Sequence, residues 1–312
     1  MAILLIQSRW CMYFPATRAD NSKALQIEIK MLKYLRKRLH ASVDARIASA
    51  QGAFVVQQEA ALARRLASYA PLTAMSGWNG TGDPFAFHTQ AAINAMSEGI
   101  AAIYGYDVDG AIAEFGTMTG RTATGIARAI ASCDSTLAYA VSAYKHAPRK
   151  LYLFDSFIGL PASEKDSVDA QSPHVKDNVW SPGSCHGVSP DELRRMVGAH
   201  LAADRFEIVS GWFSDTVPAL PGDLRFALLH VDSDLYSSAM DVLDGLFSRG
   251  MVQKGALIYF DDWNCNRADP QFGERRAWRD CVERYGIEYS DDGTYGIFAR
   301  RFVVHNYRGS PE

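Results

Sequence analysis

From about Asp109 onward, short apolar runs alternate with amphipathic stretches. The runs Ala111–Phe115, Leu151–Asp155, Phe206–Ser210, Phe226–Asp232 and Ala256–Phe260 are bounded by polar or glycine positions, and their length predicts buried strands. Between them, Gly120–Ser132, Asp191–Leu201, Ser237–Arg249 and Glu274–Tyr285 carry apolar residues at helical spacing. Ile287–Tyr289 and Tyr295–Val304 suit a closing pair of strands. Strands interleaved with helices at this rhythm predict an α/β fold with a doubly wound, mostly parallel sheet.

The first part of the chain reads differently. Residues 1–20 lack periodicity, and Asp20-Asn21-Ser22 supplies a helix cap. Leu25, Ile29, Leu32, Leu35, Leu39, Val43 and Ile47 then form a helical apolar stripe, with Lys30, Lys33, Arg36, Lys37 and Arg38 opposite. The basic side reads as the solvated face of an amphipathic helix; the stripe is core or an oligomer contact. Ala60–Tyr69 is a second helical run ended by Pro71. Residues 1–70 are therefore expected to form an N-terminal helical extension, a lid or oligomer contact, ahead of one domain over 71–312. Met75–Pro84 is a loop by composition, and helix resumes over His88–Tyr104. A polar loop over 161–190, rich in proline and serine, is long enough to act as a lid.

Composition narrows the classes. The chain has 312 residues, is 48% hydrophobic and carries a formal net charge of −3, so a core is affordable in one domain and no global pull toward nucleic acid exists. Five scattered cysteines without a CxxC pair suit a reduced, cytoplasmic protein. The apolar patch Met1–Ile6 is too short for a signal peptide, and no window suits a membrane span.

The chemistry concentrates at the ends of the predicted strands. Asp232, Asp261 and Asp262 terminate apolar runs, and carboxyl ends of strands are where open α/β sheets bind ligands. Acids that face each other there repel unless a hard cation lies among them, and an oxygen-only set suits Mg²⁺ or Ca²⁺. Glu114-Phe-Gly116-Thr-Met-Thr-Gly120 follows the first strand and opens a helix. It is neither GxGxxG nor a P-loop, which disfavours a dinucleotide oxidoreductase. Acid-x-Gly-x-x-x-Gly is the spacing of a loop that wraps the amino-acid end of S-adenosylmethionine. Glu114, Gly116, Thr117, Gly120 and Thr122 are its candidate contacts. Asp155 ends the second strand, where an acid can accept ribose hydroxyls, with Ser156 beside it. Gly211-Trp212-Phe213 after the third strand is placed to border an adenine.

Four motifs together carry a resemblance: Glu114-Phe-Gly, Leu153-Phe-Asp-Ser-Phe-Ile-Gly-Leu-Pro161, His230-Val-Asp-Ser-Asp-Leu-Tyr-Ser-Ser238 and Gly255-Ala-Leu-Ile-Tyr-Phe-Asp-Asp262. Over roughly residues 107–300 the chain resembles the macrocin O-methyltransferase family, whose members methylate sugar hydroxyls on natural products. The resemblance implies a class I methyltransferase fold, S-adenosylmethionine as donor, and Mg²⁺ on acids matching Asp232, Asp261 and Asp262. It also implies a ribose-binding acid at Asp155 and a homo-oligomer. The acceptor expected is a small-molecule hydroxyl on a glycosylated natural product, a sugar or a catechol, with no nucleic acid or membrane partner. Asp232 and His230 are the candidate catalytic groups, and His174, Trp180 and Trp263 the candidate acceptor contacts. Two other readings compete: a metal-independent O- or N-methyltransferase, and a non-catalytic subunit that binds an adenosyl ligand.

Overall fold

The computed structural model describes residues 30–40, 42, 82–137 and 148–311. The chain divides into two compact units, Met1–Ala74 and Met75–Glu312. In the first, residues 30–40 are helical and exposed, with Leu32, Leu35 and Leu39 all open to solvent. Leu25, Ile29, Val43, Ile47, Ala60–Tyr69 and residues 75–81 lie outside the described residues.

The second unit is built on one seven-stranded sheet of order β3-β2-β1-β4-β5-β7-β6. Its strands are β1 (Ala111–Phe115), β2 (Leu151–Asp155), β3 (Phe206–Ser210), β4 (Phe226–Val231), β5 (Val252–Phe260), β6 (Glu288–Tyr295) and β7 (Ala299–Asn306). Strands β1 to β5 pair in parallel, and β7 joins β5 antiparallel, with β6 completing a hairpin at the edge. Every residue of β1 and β4 is buried, as strands covered on both faces must be. β6 is exposed along nearly its whole length, and its Ser-Asp-Asp-Gly-Thr run makes a polar sheet edge.

The principal helices are α1 (Pro84–Gly105), α2 (Arg121–Thr136), α3 (Val168–Gln171), α4 (Pro173–Lys176), α5 (Pro190–Gly198), α6 (Phe213–Thr216), α7 (Tyr236–Phe247) and α8 (Gly273–Tyr285). Asp83 caps α1 by accepting the Phe85 N–H, and Pro84 opens its first turn, where no N–H is needed. One sheet face packs Phe115, Val231 and Phe260 against α7 and α8; the other packs Leu153, Leu228 and Tyr259 against α1 and α2. Each fully buried Phe or Leu contributes about 1.5–3 kcal/mol through apolar burial. None of the described helices is long and apolar enough to cross a membrane.

The strand order reverses between β1 and β4, which opens a crevice at their carboxyl ends. Registry does the rest. Glu114 pairs with His230 and His230 with Tyr259; Phe115 pairs with Val231 and Val231 with Phe260. One step further, the Asp232 N–H donates to the Phe115 carbonyl and the Asp261 N–H to the Val231 carbonyl. Gly116, Asp232 and Asp261 thus stand in one row across three strand ends.

Candidate active site

A cavity of about 460 Å³ opens beside that row. Gly116, Met118, Asp155, Ser156, the Gly211–Phe213 turn, Asp232 and Asp234 are among the residues on its wall. Most of the residues predicted for the donor therefore converge. Gly116 has φ +97°, and a Cβ there would stand 1.9 Å from the Asp232 carbonyl oxygen, so the glycine loop and the β4 end touch only because residue 116 has no side chain. Gly120, at φ +70°, is the N-cap of α2 and packs against Leu193 and Met196. Thr117 is buried and Thr122 half-buried in the first turn of α2.

Asp155 is already engaged. Its Oδ2 accepts from the Thr117 N–H, the Thr117 hydroxyl and the Met118 N–H, and its Oδ1 accepts from the Phe157 N–H. The Ser156 hydroxyl donates to the Gly159 carbonyl.

Glu114 and His230 lie below the crevice, fully buried and off the cavity wall. The His230 Nδ1 meets Glu114 Oε1 at 3.0 Å. Its Nε2 stands 3.7 Å from Asp261 Oδ1, an ionic contact rather than a hydrogen bond. Burial works against a charged imidazole here, but the two flanking carboxylates outweigh it and push the His230 pKa up to about 9. His230 is thus an internal cation between two acids, away from where an acceptor would enter.

The acids of the crevice press on one another. Asp232, Asp234 and Glu274 are raised well above the usual carboxylate range, first by burial and then by neighbouring acid charge. Asp262 is pushed up to about 6 by burial and then by Asp261. Asp261 goes the other way: burial alone would raise it, but His230 and His88 hold its proton affinity below the ordinary value. Glu274, on α8, ties two loops together by accepting the Ser233 N–H at 3.1 Å and the Asp262 N–H at 2.9 Å.

Among the described residues, no three His, Cys, Asp or Glu side chains are arranged to enclose a metal ion. The donor chemistry nonetheless fits a hard cation. Asp261 Oδ1 and Asp262 Oδ2 are buried oxygens without a hydrogen-bond partner, and the acids around them raise one another's proton affinity.

The 161–190 segment is anchored over the site. Buried Asp169 accepts the Tyr236 and Ser237 N–H groups, capping α7 where Leu235 offers no side-chain cap. His174 and Asn266 bond reciprocally: the His174 N–H donates to Asn266 Oδ1, and the Asn266 N–H to His174 Nδ1. Trp180 is buried against the His174 ring, with centroids 4.6 Å apart. Trp263 belongs to the apolar core, packed on Phe260 and Phe302 with Arg275 over its ring. His174, Trp180 and Trp263 are all absent from the cavity wall. The His186 Nδ1 bonds the Gly183 carbonyl.

Residues 30–284 match the macrocin-O-methyltransferase (TylF) family model. The chain belongs to this family. The match extends further toward the N-terminus than the four motifs. Family relatives include the 8-demethyl-8-(2,3-dimethoxy-alpha-L-rhamnosyl)-tetracenomycin-C 4'-O-methyltransferase of Streptomyces olivaceus, 32% identical over 161 residues, covering 49% of this chain and 55% of that protein. The demethyldecarbamoylnovobiocin O-methyltransferase of Streptomyces niveus is 31% identical over 149 residues, covering 47% of this chain and 54% of that protein. The chain thus spans about half the length of the curated relatives it matches. In fold it is similar to the O-methyltransferase NovP, with a TM-score of 0.51 and 22% identity over 69% of this chain and 79% of that one.

Sequence reasoning did not single out Asp234, Asp169, Glu274 or His88 as site residues. Asp234 stands in the quoted His230–Ser238 motif, so its signal was present; the others reach the site from helices or loops distant in sequence.

Proposed function

We propose that the chain transfers the methyl group of S-adenosylmethionine to a hydroxyl oxygen of a sugar on a natural product, with Mg²⁺ assisting. The observation that carries this reading is the row Gly116, Asp232, Asp261 at three adjacent strand ends, of which Gly116 and Asp232 line one cavity while Asp261 and Asp262 stand off its wall. The family supports the donor, and the rhamnosyl-tetracenomycin named for one relative supports a sugar acceptor. In this reading Gly116, Asp155 and the Gly211–Phe213 turn hold the donor. Asp232, Asp261 and Asp262 would hold Mg²⁺, which when bound lowers the pKa of an acceptor hydroxyl and fixes its direction.

The acceptor oxygen attacks the sulfonium methyl in line; an O–C bond forms as the S–C bond breaks, and S-adenosylhomocysteine leaves. The hydroxyl proton needs a base. Asp234 suits this better than His230, because it borders the cavity and its environment raises its proton affinity. In this reading the 161–190 segment covers one side of the cavity, where Pro161, Glu164, Asp169 and Cys185 line the wall. The exposed stripe of Leu32, Leu35 and Leu39 supports an oligomer contact, which sedimentation of the full chain tests.

A second reading, transfer without a metal, is favoured by one observation: the described acids are not arranged as a cage. Calorimetric titration of S-adenosylhomocysteine with Mg²⁺ and then with EDTA tests both, followed by methyl transfer to a sugar and catechol panel. Binding in both conditions with turnover lost in EDTA supports the metal-assisted reading. Turnover retained in EDTA favours the second. Absence of binding in both conditions overturns the donor assignment.

A further inference from the structure

Helix α1 lies outside the donor-binding loops, yet it is registered closely against Asp261. The Tyr259 hydroxyl, two residues before Asp261 on β5, donates to the Ala95 carbonyl at 3.0 Å. A Cβ on Gly99 would stand 2.0 Å from that hydroxyl, so α1 sits this close only with glycine there. His88 is seven residues before Ala95, two helical turns back on the same face.

His88 is 7% exposed and held from three sides. Its Nε2 is 2.9 Å from Asp261 Oδ2. Its Nδ1 accepts the Ile297 N–H at 3.0 Å, and the Phe298 ring lies 5.3 Å from its own. Gly296 leaves room for it: a Cβ there would stand 2.3 Å from His88 Nδ1. The Ile297 N–H donates to Nδ1 and leaves no place for a proton there. The geometry decides for a neutral ring with its proton on Nε2, donated to Asp261. With Oδ2 committed to His88, Oδ1 is the Asp261 oxygen left without a hydrogen-bond partner, and it stands 3.7 Å from the buried His230 Nε2.

We propose that His88 is a positioning residue for Asp261, fixing the carboxylate's rotation so that Oδ1, the oxygen that accepts no hydrogen bond, is the one available to a divalent cation. The proposal rests on the reading of Asp232, Asp261 and Asp262 as cation ligands. It ties that cation's affinity to α1 and to the turn between β6 and β7, neither of which lines the cavity.

The test measures Mn²⁺ binding to the full chain, saturated with S-adenosylhomocysteine, from the electron paramagnetic resonance signal of free Mn²⁺. His88→Phe keeps a ring beside Phe298 but donates nothing; His88→Gln keeps an N–H near the Nε2 position; Gly296→Ala displaces the imidazole. Phe and the Gly296 variant are expected to weaken Mn²⁺ by about 10- to 100-fold, Gln to restore most of the loss, and S-adenosylhomocysteine affinity to stay unchanged in all three. Wild-type Mn²⁺ affinity in a folded His88→Phe protein overturns the role of His88. No Mn²⁺ binding by the wild-type chain overturns the cation reading itself, a separate result.

Discussion

Thr117 meets Asp155 twice: its N–H and its hydroxyl both donate to Oδ2, at 2.8 and 3.0 Å. With Met118 and Phe157 also donating, four bonds occupy a carboxylate that offers about four lone-pair sites. Asp155 therefore shapes the glycine loop, and a ribose must share or displace these bonds. Asp155→Ala is expected to weaken S-adenosylhomocysteine by about 1.5–3 kcal/mol, on the order of 10- to 100-fold. Asp155→Asn should fall toward Ala, because its amide NH₂ would face N–H donors. Calorimetry checks both, and wild-type affinity in Asp155→Ala would sink the assignment.

Gly116→Ala attacks the contact between two loops. The φ of +97° strains any L side chain, and the new Cβ would overlap the Asp232 carbonyl. Left-handed strain alone costs on the order of 1–3 kcal/mol, and the overlap must move one of the two loops. We expect a lower unfolding midpoint together with loss of donor binding. A variant of wild-type stability that binds S-adenosylhomocysteine normally would contradict the close approach of these loops.

The strands were the most legible part of the chain. β1, β2 and β3 span the residues their apolar runs predict; in β1 and β2 burial on both faces leaves little room for polar interruption, whereas the edge strand β3 exposes Glu207 and Ser210. β5 starts four residues earlier than predicted, at Val252; Gln253-Lys254-Gly255 breaks the apolar run, and the β4–β5 register shifts there. The closing hairpin was legible as a pair, though its turn and ends moved by several residues. The acids at the strand ends could be read because a strand end is a local pattern. His88 and Glu274 could not, since each is one polar residue on a helix whose partner is fixed only by packing. Trp263 follows the acid pair directly, yet the turn after β5 sends it into the core.

Asn266 holds the 161–190 segment through a strained turn. Asn266, Arg267 and Ala268 are consecutive residues with positive φ, at 55°, 61° and 54°. Such residues cost of order 1–3 kcal/mol each and need neighbours that hold them. Buried Asn266 tolerates this conformation and exchanges two hydrogen bonds with His174. Asn266→Ala removes the acceptor for the His174 N–H while retaining the Asn266 backbone donor. Faster amide hydrogen exchange over 168–180 and a raised acceptor KM are expected, with donor affinity unchanged. Unaltered exchange in that segment would show that its other contacts, those of Asp169 and Asp177, hold it without the Asn266 side chain.

Removing divalent cations should expose the mutual repulsion of the acids as a pH-dependent loss of stability. Asp232, Asp234 and Glu274 hold protons more tightly in the folded chain than when unfolded, and Asp262 does so up to about pH 6. The folded state then binds more protons than the unfolded one above the ordinary carboxylate values near 4, so stability falls as pH rises. His230 acts in the same direction: its charge stabilises the fold fully below about 6.5, and that contribution is lost as pH rises through about 9. Asp261, held below its ordinary value, loses its contribution only as pH falls below about 4 and is constant over the window measured. Each tenfold change in proton affinity is worth about 1.4 kcal/mol, roughly 3–6 °C in the midpoint of a larger domain. In EDTA the midpoint should therefore drop between pH 5 and 9. Mg²⁺ or Mn²⁺ binds the deprotonated acids, so the stabilisation it adds should grow over the same interval. Asp232→Asn should flatten the fall in EDTA and abolish the cation increment. A midpoint that rises with pH in EDTA, or a cation effect independent of pH, would mean that these carboxylates do not share one electrostatic site.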